Sequence, residues 1–331
     1  MKVLLYTKLL LPARKYGGSE RVIMSLAQSL HQLGHQVFII SKVTFSCAYA
    51  TTYAYNDPEL LSKIRKARID IIHSHTHYPD HLHEWPVIHT AHGNTYQSDF
   101  KYPCNTLFVS KDHAARMGSD AYVHNGLNWS ECYPTVNLTA SRRHFHFLGK
   151  AAWRVKNLRG AVDIIKRMKS ERLVVLGGQR VNFSMGFRVT MTPKVRFKGM
   201  VTDAQKAFWM SQSKGLLFPV QWHEPFGLAL IESLFFGCPV FGSKHGALPE
   251  IIGDEYGFLS NQANQLMAAM ADADRFDKAR LHQYARDCFN SDLMARRYLD
   301  YYERVLNGET CNKRQPQLQP AYTQRYLEGQ K

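Results

Sequence analysis

Short apolar runs alternate with helical stripes along most of the chain, and this alternation restricts the possible folds more than any other feature. Residues 2–6 and 36–40 are strand-length apolar runs. Between them Val22, Ile23, Leu26, Leu30 and Leu33 share one face of a helix over 19–33, which Gly34 stops. Strand, helix and strand make a βαβ unit with parallel strands and a right-handed crossover. Further apolar runs at 69–72, 87–91 and 106–109 continue the pattern. The turn signal Asn125-Gly126 and a polar stretch over 133–143 interrupt it. It then restarts with strands at 144–148, 172–176, 194–198, 215–219 and 239–242, and helices at 157–169, 261–271, 277–288 and 291–306. The reading predicts two doubly wound α/β domains with parallel sheets, 1–140 and 141–306, and a flexible tail over 307–331. Ligands of such sheets sit beyond the carboxyl ends of the strands, so the expected site is a central cleft which the two domains face.

A chain of 331 residues, 45% hydrophobic and 21% charged, is long enough for two cores and excludes collagen and disorder. No apolar run approaches the roughly 18 residues of a membrane span, and the N-terminus does not read as a signal peptide. Six cysteines without a C-x-x-C pair read as reduced thiols, which points to a cytoplasmic location. The net charge of +15 is uneven, with a net +3 over 1–140 and +12 over 141–331. That balance favours anionic partners: phosphorylated small molecules, an acidic membrane surface or nucleic acid.

Two motifs sit just after predicted strands. Tyr16-Gly17-Gly18-Ser19-Glu20 opens the first helix, where glycines admit a ligand to the backbone and free amides favour phosphate. The plain alternative is a β-to-α turn with Ser19 as N-cap. Neither G-x-G-x-x-G nor a P-loop is present, which weighs against a dehydrogenase or an NTPase. The second motif is Glu224-Pro225-Phe226-Gly227-Leu228-Ala229-Leu230-Ile231-Glu232. With Pro225 in the first helical turn, the amides of Phe226, Gly227 and Leu228 would be unpaired. Two glutamates eight residues apart would stand about 12 Å apart along a helix. That exceeds a glycosidase carboxylate pair, and suits gripping two ends of one long ligand.

Glu224 to Glu232 resembles the E-x7-E motif of retaining GT-B glycosyltransferases, most closely glycosyltransferase family 4. Other segments similar to that family recur in order: Gly17-Gly18, 70–75, His89-Thr90-Ala91-His92-Gly93, His124-Asn125-Gly126, Phe147-Leu148-Gly149-Lys150, Lys156-Asn157, Leu176-Gly177-Gly178, 237–240 and 246–250. The resemblance spans residues 1–306 and implies a GT-B architecture. It implies metal-independent, retaining transfer of a sugar from a UDP- or GDP-sugar to a glycan, lipid-linked or other hydroxyl acceptor, with no cofactor. By the same resemblance, Glu224 holds donor-sugar hydroxyls beside the amides of Phe226, Gly227 and Leu228, and Glu232 binds the ribose. Lys150 and Lys156 clamp the diphosphate with Gly17 and Gly18. His92 faces the sugar, and Gly199, Met200 and Val201 meet the base. Lys156→Ala is then expected to lower turnover far more than stability. Lysine stands at 150 where the family usually has arginine, keeping the charge and losing the bidentate fork. The N-terminal half reads as shortened. In the front-face mechanism of such enzymes the leaving phosphate takes the acceptor's proton.

Alternative readings are a sugar-nucleotide epimerase or hydrolase on the same fold, or a non-catalytic polyanion binder; specific nucleic-acid recognition is not expected. His73, His75, His77, His81, His83, His89 and His92 suggest a metal site, but no zinc-type spacing accompanies them. Asp272-Ala273-Asp274 imitates a D-x-D motif between helices. Residues 8–15 mix basic and apolar side chains, as a peripheral membrane loop at the inner face would, although strand-end packing is the plainer reading.

Overall fold

The computed structural model describes residues 1–13, 17–77, 82–183, 185 and 187–327. The chain divides into two compact units, one of residues 1–128 with 289–323 and the other of 129–288 with 324–331.

The first unit opens with β1 (Lys2–Tyr6), α1 (Gly18–Gln32) and β2 (Gln36–Ser41), as the alternation predicts. Gly34 takes a positive φ of 86° just beyond the end of α1. The helix is capped by Gly17 without a side-chain hydrogen bond, so Ser19 lies inside the first turn and is not the N-cap. Then come β3 (Thr51–Ala54), α2 (Leu60–Ala67), β4 (Ile71–Ser74), β5 (Val87–Ala91), β6 (Thr106–Phe108) and α3 (Lys111–Arg116). The six strands run parallel in the order β3-β2-β1-β4-β5-β6. Neither β3 nor α2 was legible: β3 is half-exposed with weak patterning, and α2 buries only Leu60 and Ile64.

The second unit begins with α4 (Trp129–Cys132), β7 (His144–Leu148), α5 (Leu158–Arg167) and β8 (Leu173–Leu176). A small antiparallel hairpin follows, β9 (Val181–Asn182) and β10 (Arg188–Val189), ahead of β11 (Val195–Phe197). The rest comprises α6 (Asp203–Ser211), β12 (Ser213–Phe218), α7 (Leu228–Phe235), β13 (Val240–Gly242), α8 (Leu248–Ile251), β14 (Gly257–Leu259), α9 (Ala263–Ala271) and α10 (Lys278–Cys288). Its six-stranded sheet is parallel in the order β11-β8-β7-β12-β13-β14. Each main sheet therefore has the doubly wound order 3-2-1-4-5-6, counting its own strands along the chain.

Two expectations need correction. The last long helix, α11 (Ser291–Leu306), packs with the first unit and not with the C-terminal one. Its buried Tyr302 hydroxyl lies 2.7 Å from His73 Nδ1, and the Tyr298 hydroxyl lies 3.1 Å from Thr90 Oγ1. Periodicity reports that a helix has a buried face, not which core receives it. The tail, expected to be flexible, is also docked on the first unit over much of its length. Asn312 Nδ2 donates to the carbonyls of Cys104 and Thr106 at 2.8 and 2.7 Å, and Leu318 joins a core cluster with Phe108 and Met117. It makes few apolar contacts and many backbone ones, so it leaves no hydrophobic period to read.

Candidate active site

In a doubly wound sheet the crevice opens where neighbouring strands send their connections in opposite directions. In the second unit these strands are β7 and β12, paired side by side. Lys150 and Lys156 follow β7, and the segment from Pro219 to Gly227 follows β12. Topology thus brings Lys156 to the first glutamate that sequence singled out, with Lys150 in the same loop after β7.

Glu224 is 5% exposed. Its Oε2 accepts from Lys156 Nζ at 2.6 Å and from the Trp222 indole Nε1 at 2.7 Å. The Lys156 ammonium also lies 4.9 Å from the Trp222 ring centre and 5.1 Å from that of Phe218. A buried charge is costly unless paired and hydrogen-bonded, and here each charge satisfies the other. Both contacts fall on Oε2, which leaves Oε1 to accept from a ligand hydroxyl. One of the three ammonium donors of Lys156 is engaged in this pair, so two others can turn to an anion. Lys156 ends a 3-10 turn over Arg154–Lys156. Asn157 then takes a left-handed conformation, accepts from Gly160 N at 3.0 Å and donates to the Pro219 carbonyl at 2.9 Å. That side chain caps α5 and ties the Lys156 turn to the end of β12.

Helix α7 starts at Leu228, so Pro225 and Phe226 precede it, contrary to the expected first turn at Pro225. The 12 Å estimate for Glu224 and Glu232 assumed a continuous helix and no longer applies. Gly227 caps α7 at φ 90°, a conformation that disfavours a side chain, and it offers no side-chain cap. Phe226 is buried and Leu228 half-buried. Behind Glu224, Gly246 at φ 63° packs so closely that an added Cβ would lie 2.2 Å from the Glu224 amide nitrogen. Ala247 N donates to the Glu224 carbonyl at 2.9 Å. The segment 246–250 is therefore a backbone buttress for Glu224.

Glu232 is 6% exposed, inside α7, and bound differently from Glu224. Its Oε1 accepts from Lys206 Nζ at 2.5 Å and from the Tyr133 hydroxyl. Lys206 comes from α6, whose N-terminus is a capping box of Thr202 and Gln205. The sequence reading missed Tyr133, Lys206 and Trp222. Thr202-x-x-Gln205 announces the helix, but no local signal announces the buried pair.

Lys150 is exposed, with its ammonium 5.5 Å from the Trp153 ring centre. The loops after β7, β8 and β11 are stitched together by backbone bonds: Ala151 N to Gly177 O at 3.0 Å, Gly177 N to Gly199 O at 2.7 Å and Gly199 N to Gly178 O at 3.1 Å. Gly199 and Gly178 line a pocket of about 520 Å³ with Arg180, Arg196, Phe197 and Lys198. Met200 is 42% exposed and Val201 is buried.

Gly17, Gly18 and His92 belong to the first unit. Its corresponding crevice lies at β1 and β4, and Gly17 and Gly18 follow β1 at the start of α1. Tyr16 of that motif, Arg14 and Lys15 of the basic loop, and His81 lie outside the described residues. His92 follows β5, with Nε2 2.9 Å from His75 Nδ1; the His75 ring centre in turn lies 4.0 Å from that of His73, the rings tilted by 35°. Burial pushes His92 down to about 3 and His89 to about 4, and holds His73 and His75 well below the usual imidazole range. These rings are buried in the neutral form, with His75 and His92 hydrogen-bonded to each other and His73 to Tyr302 and Thr90. Among the described residues, no group of three or more His, Cys, Asp or Glu is placed to hold a metal ion. Nor, among them, is any helix long and apolar enough to cross a membrane.

Residues 142–275 match the family of glycosyl transferases group 1, and residues 16–116 match Glycosyltransferase Family 4. The chain is similar to O-antigen chain mannosyltransferase B of Escherichia coli, 26% identical over 166 residues. That match covers 47% of this chain and 42% of the relative, well under half its length. A phosphatidyl-myo-inositol mannosyltransferase of Mycobacterium leprae is 24% identical over 315 residues, covering 78% of this chain and 82% of that one. Among solved structures, AviGT4, a glycosyltransferase involved in avilamycin A biosynthesis, superposes with a TM-score of 0.73 at 21% identity, covering 93% of this chain and 99% of that one. At that identity the likeness speaks for the fold. With one family match on each half and two sheets of the same winding, the chain belongs to the group 1, family 4 glycosyltransferases of GT-B fold.

Proposed function

We propose that this glycosyltransferase moves a hexosyl group from a nucleotide-diphosphate sugar to a hydroxyl of a glycan or lipid-linked acceptor, with retention at the anomeric carbon. The observation that supports it most is Glu224, held by Lys156 and Trp222 at the carboxyl end of β12 beside the start of α7, which has no side-chain cap. In this reading Glu224 Oε1 accepts from a donor-sugar hydroxyl, and the amides around Gly227 and Leu228 bind beside it. Lys150 and the two remaining donors of Lys156 meet the diphosphate, where negative charge grows as the anomeric C–O bond breaks. Preorganised cations at that point lower the barrier without a metal. The acceptor oxygen forms the new bond on the same face, and its proton passes to the departing phosphate oxygen. Glu232, anchored by Lys206, is assigned to the ribose, and Gly199, Met200 and Val201 to the base. Gly17, Gly18 and His92 are assigned to donor binding by the family resemblance alone.

Both curated relatives are named mannosyltransferases, so a mannosyl donor comes first among the candidates. The test is thermal melting with a panel of GDP-, UDP-, ADP- and dTDP-sugars, followed by product analysis with the stabilising donor. Binding to the folded state raises the melting temperature by mass action. One nucleotide class should stabilise the protein, Glu224→Gln should abolish transfer, and a chelator should leave turnover unchanged. Free sugar as the sole product would make the protein a hydrolase. Stabilisation by polyanions and by no donor would overturn the proposal.

A further inference from the structure

Between Glu171 and Asp203 the chain carries six basic residues and no acidic one. Within that stretch Val181, Phe183, Met185, Phe187, Val189 and Met191 occupy alternate positions. The β9–β10 hairpin lies there, with Val181 opposite Val189 and Asn182 opposite Arg188. Alternation along strands sends odd and even residues to opposite faces, and the apolar set ordinarily faces the core. Here the faces are reversed. The six apolar side chains are 40–84% exposed, whereas Arg188, Thr190 and Thr192 are at most 9% exposed.

The reversal is locked from the buried side. Arg180 Nη1 donates to the Thr190 carbonyl at 2.6 Å, and Arg188 Nη1 to Thr190 Oγ1 at 2.9 Å. The two guanidinium groups lie 5.8 and 5.4 Å from the Phe197 ring centre. Alongside is a pocket of about 730 Å³ whose lining includes Met185, Phe187, Arg154, Arg159 and Arg188. An outward apolar face of this size, bordered by cations, calls for a partner that is apolar within and anionic at its surface. An acidic bilayer has that profile: aromatic and methionine side chains enter the acyl boundary while arginines meet lipid phosphates. A second copy of the chain would instead set arginines against arginines.

We propose that the β9–β10 hairpin docks this protein on an anionic lipid bilayer, with a headgroup phosphate received between the exposed Arg154 and Arg159. The contact needs no nucleotide sugar and stands apart from the catalytic proposal. It is tested by co-sedimentation with phosphatidylcholine vesicles, with and without phosphatidylglycerol, in the absence of any donor. The protein should pellet with the anionic vesicles alone and be released by salt. Phe183→Ser/Phe187→Ser should weaken binding by at least about tenfold with an unchanged melting temperature, since both side chains are exposed. Equal binding by that variant, or no binding to anionic vesicles, would overturn the proposal. So would a light-scattering mass of two chains that the variant reduces to one, because the face would then be covered by a second copy.

Discussion

Lys156 and Glu224 neutralise each other under cover of Trp222 and Phe218, so removing one partner strands the other charge. The sequence-based expectation for Lys156→Ala, lost turnover with little lost stability, therefore changes. Breaking a buried pair costs about 3–5 kcal/mol, readable as a lower midpoint in urea. The double variant Lys156→Met/Glu224→Gln removes both charges, and should regain much of that stability while remaining inactive. A single Lys156→Ala as stable as the parent would show that the pair is not buried in solution. Glu232 obeys the same logic with Lys206: Lys206→Met should destabilise by a similar amount, and Glu232→Ala is a poor probe of nucleotide binding on its own. The two glutamates were legible as residues because their spacing within a strand-to-helix motif is unusual. Their partners were not, since Lys206 lies 26 residues and Tyr133 99 residues away along the chain.

At the scale of elements, the site depends on loops that glycine allows to approach. Gly246→Ala would push a methyl group into the Glu224 backbone, which a flexible side chain cannot relieve. It should lower kcat at least about tenfold by displacing the carboxylate, and reduce the melting temperature as well. Normal kcat in that variant would remove the buttress role. Thr202→Ala should cost about 1 kcal/mol through loss of the capping box, and should also loosen Lys206 at the other end of the ion pair. Most strands and helices were legible, because a fully buried parallel strand is a continuous apolar run and a surface helix keeps its stripe. The elements that escaped include β3, α2 and the β9–β10 hairpin, which bury little or point their apolar residues outward, and the short α3, α4, α6, α8 and β14, too brief to show a period. Helix α7 was recognised, but its start was placed three residues early because proline suits a first turn as well as the loop before it.

Over the whole molecule, several imidazoles are buried in the neutral form. Burial lowers His89 and His144 to about 4, and His92 and His146 to about 3. In the unfolded chain the same groups protonate near 6.5. Between those values the unfolded state binds more protons, so their contribution is complete above about pH 6.5 and is lost as pH falls toward 3 to 4. Urea midpoints at pH 7.5 and 5.5 should differ, with the lower value in acid; an equal or higher midpoint at pH 5.5 would contradict the buried neutral imidazoles. The docked tail gives a second test. Asn312→Ala leaves the Cys104 and Thr106 carbonyls without that donor, at a cost of about 1–3 kcal/mol. No change in stability would mean that the tail is detached in solution.

The sequence by itself determined the local part of this protein: two rounds of strand and helix, the glycines and glutamates at strand ends, and the resemblance that ties them together. Those properties are periodic or contiguous, so neighbouring residues carry them. Only the tertiary structure decided that α11 and the tail return to the first unit, that Glu224 and Glu232 each hold a lysine, and that one hairpin is built apolar side out. Each of these is a pairing between distant residues or a choice of which face meets water. Such choices follow from where the chain can bury surface and satisfy charge together, and that is settled only when each unit is packed within itself.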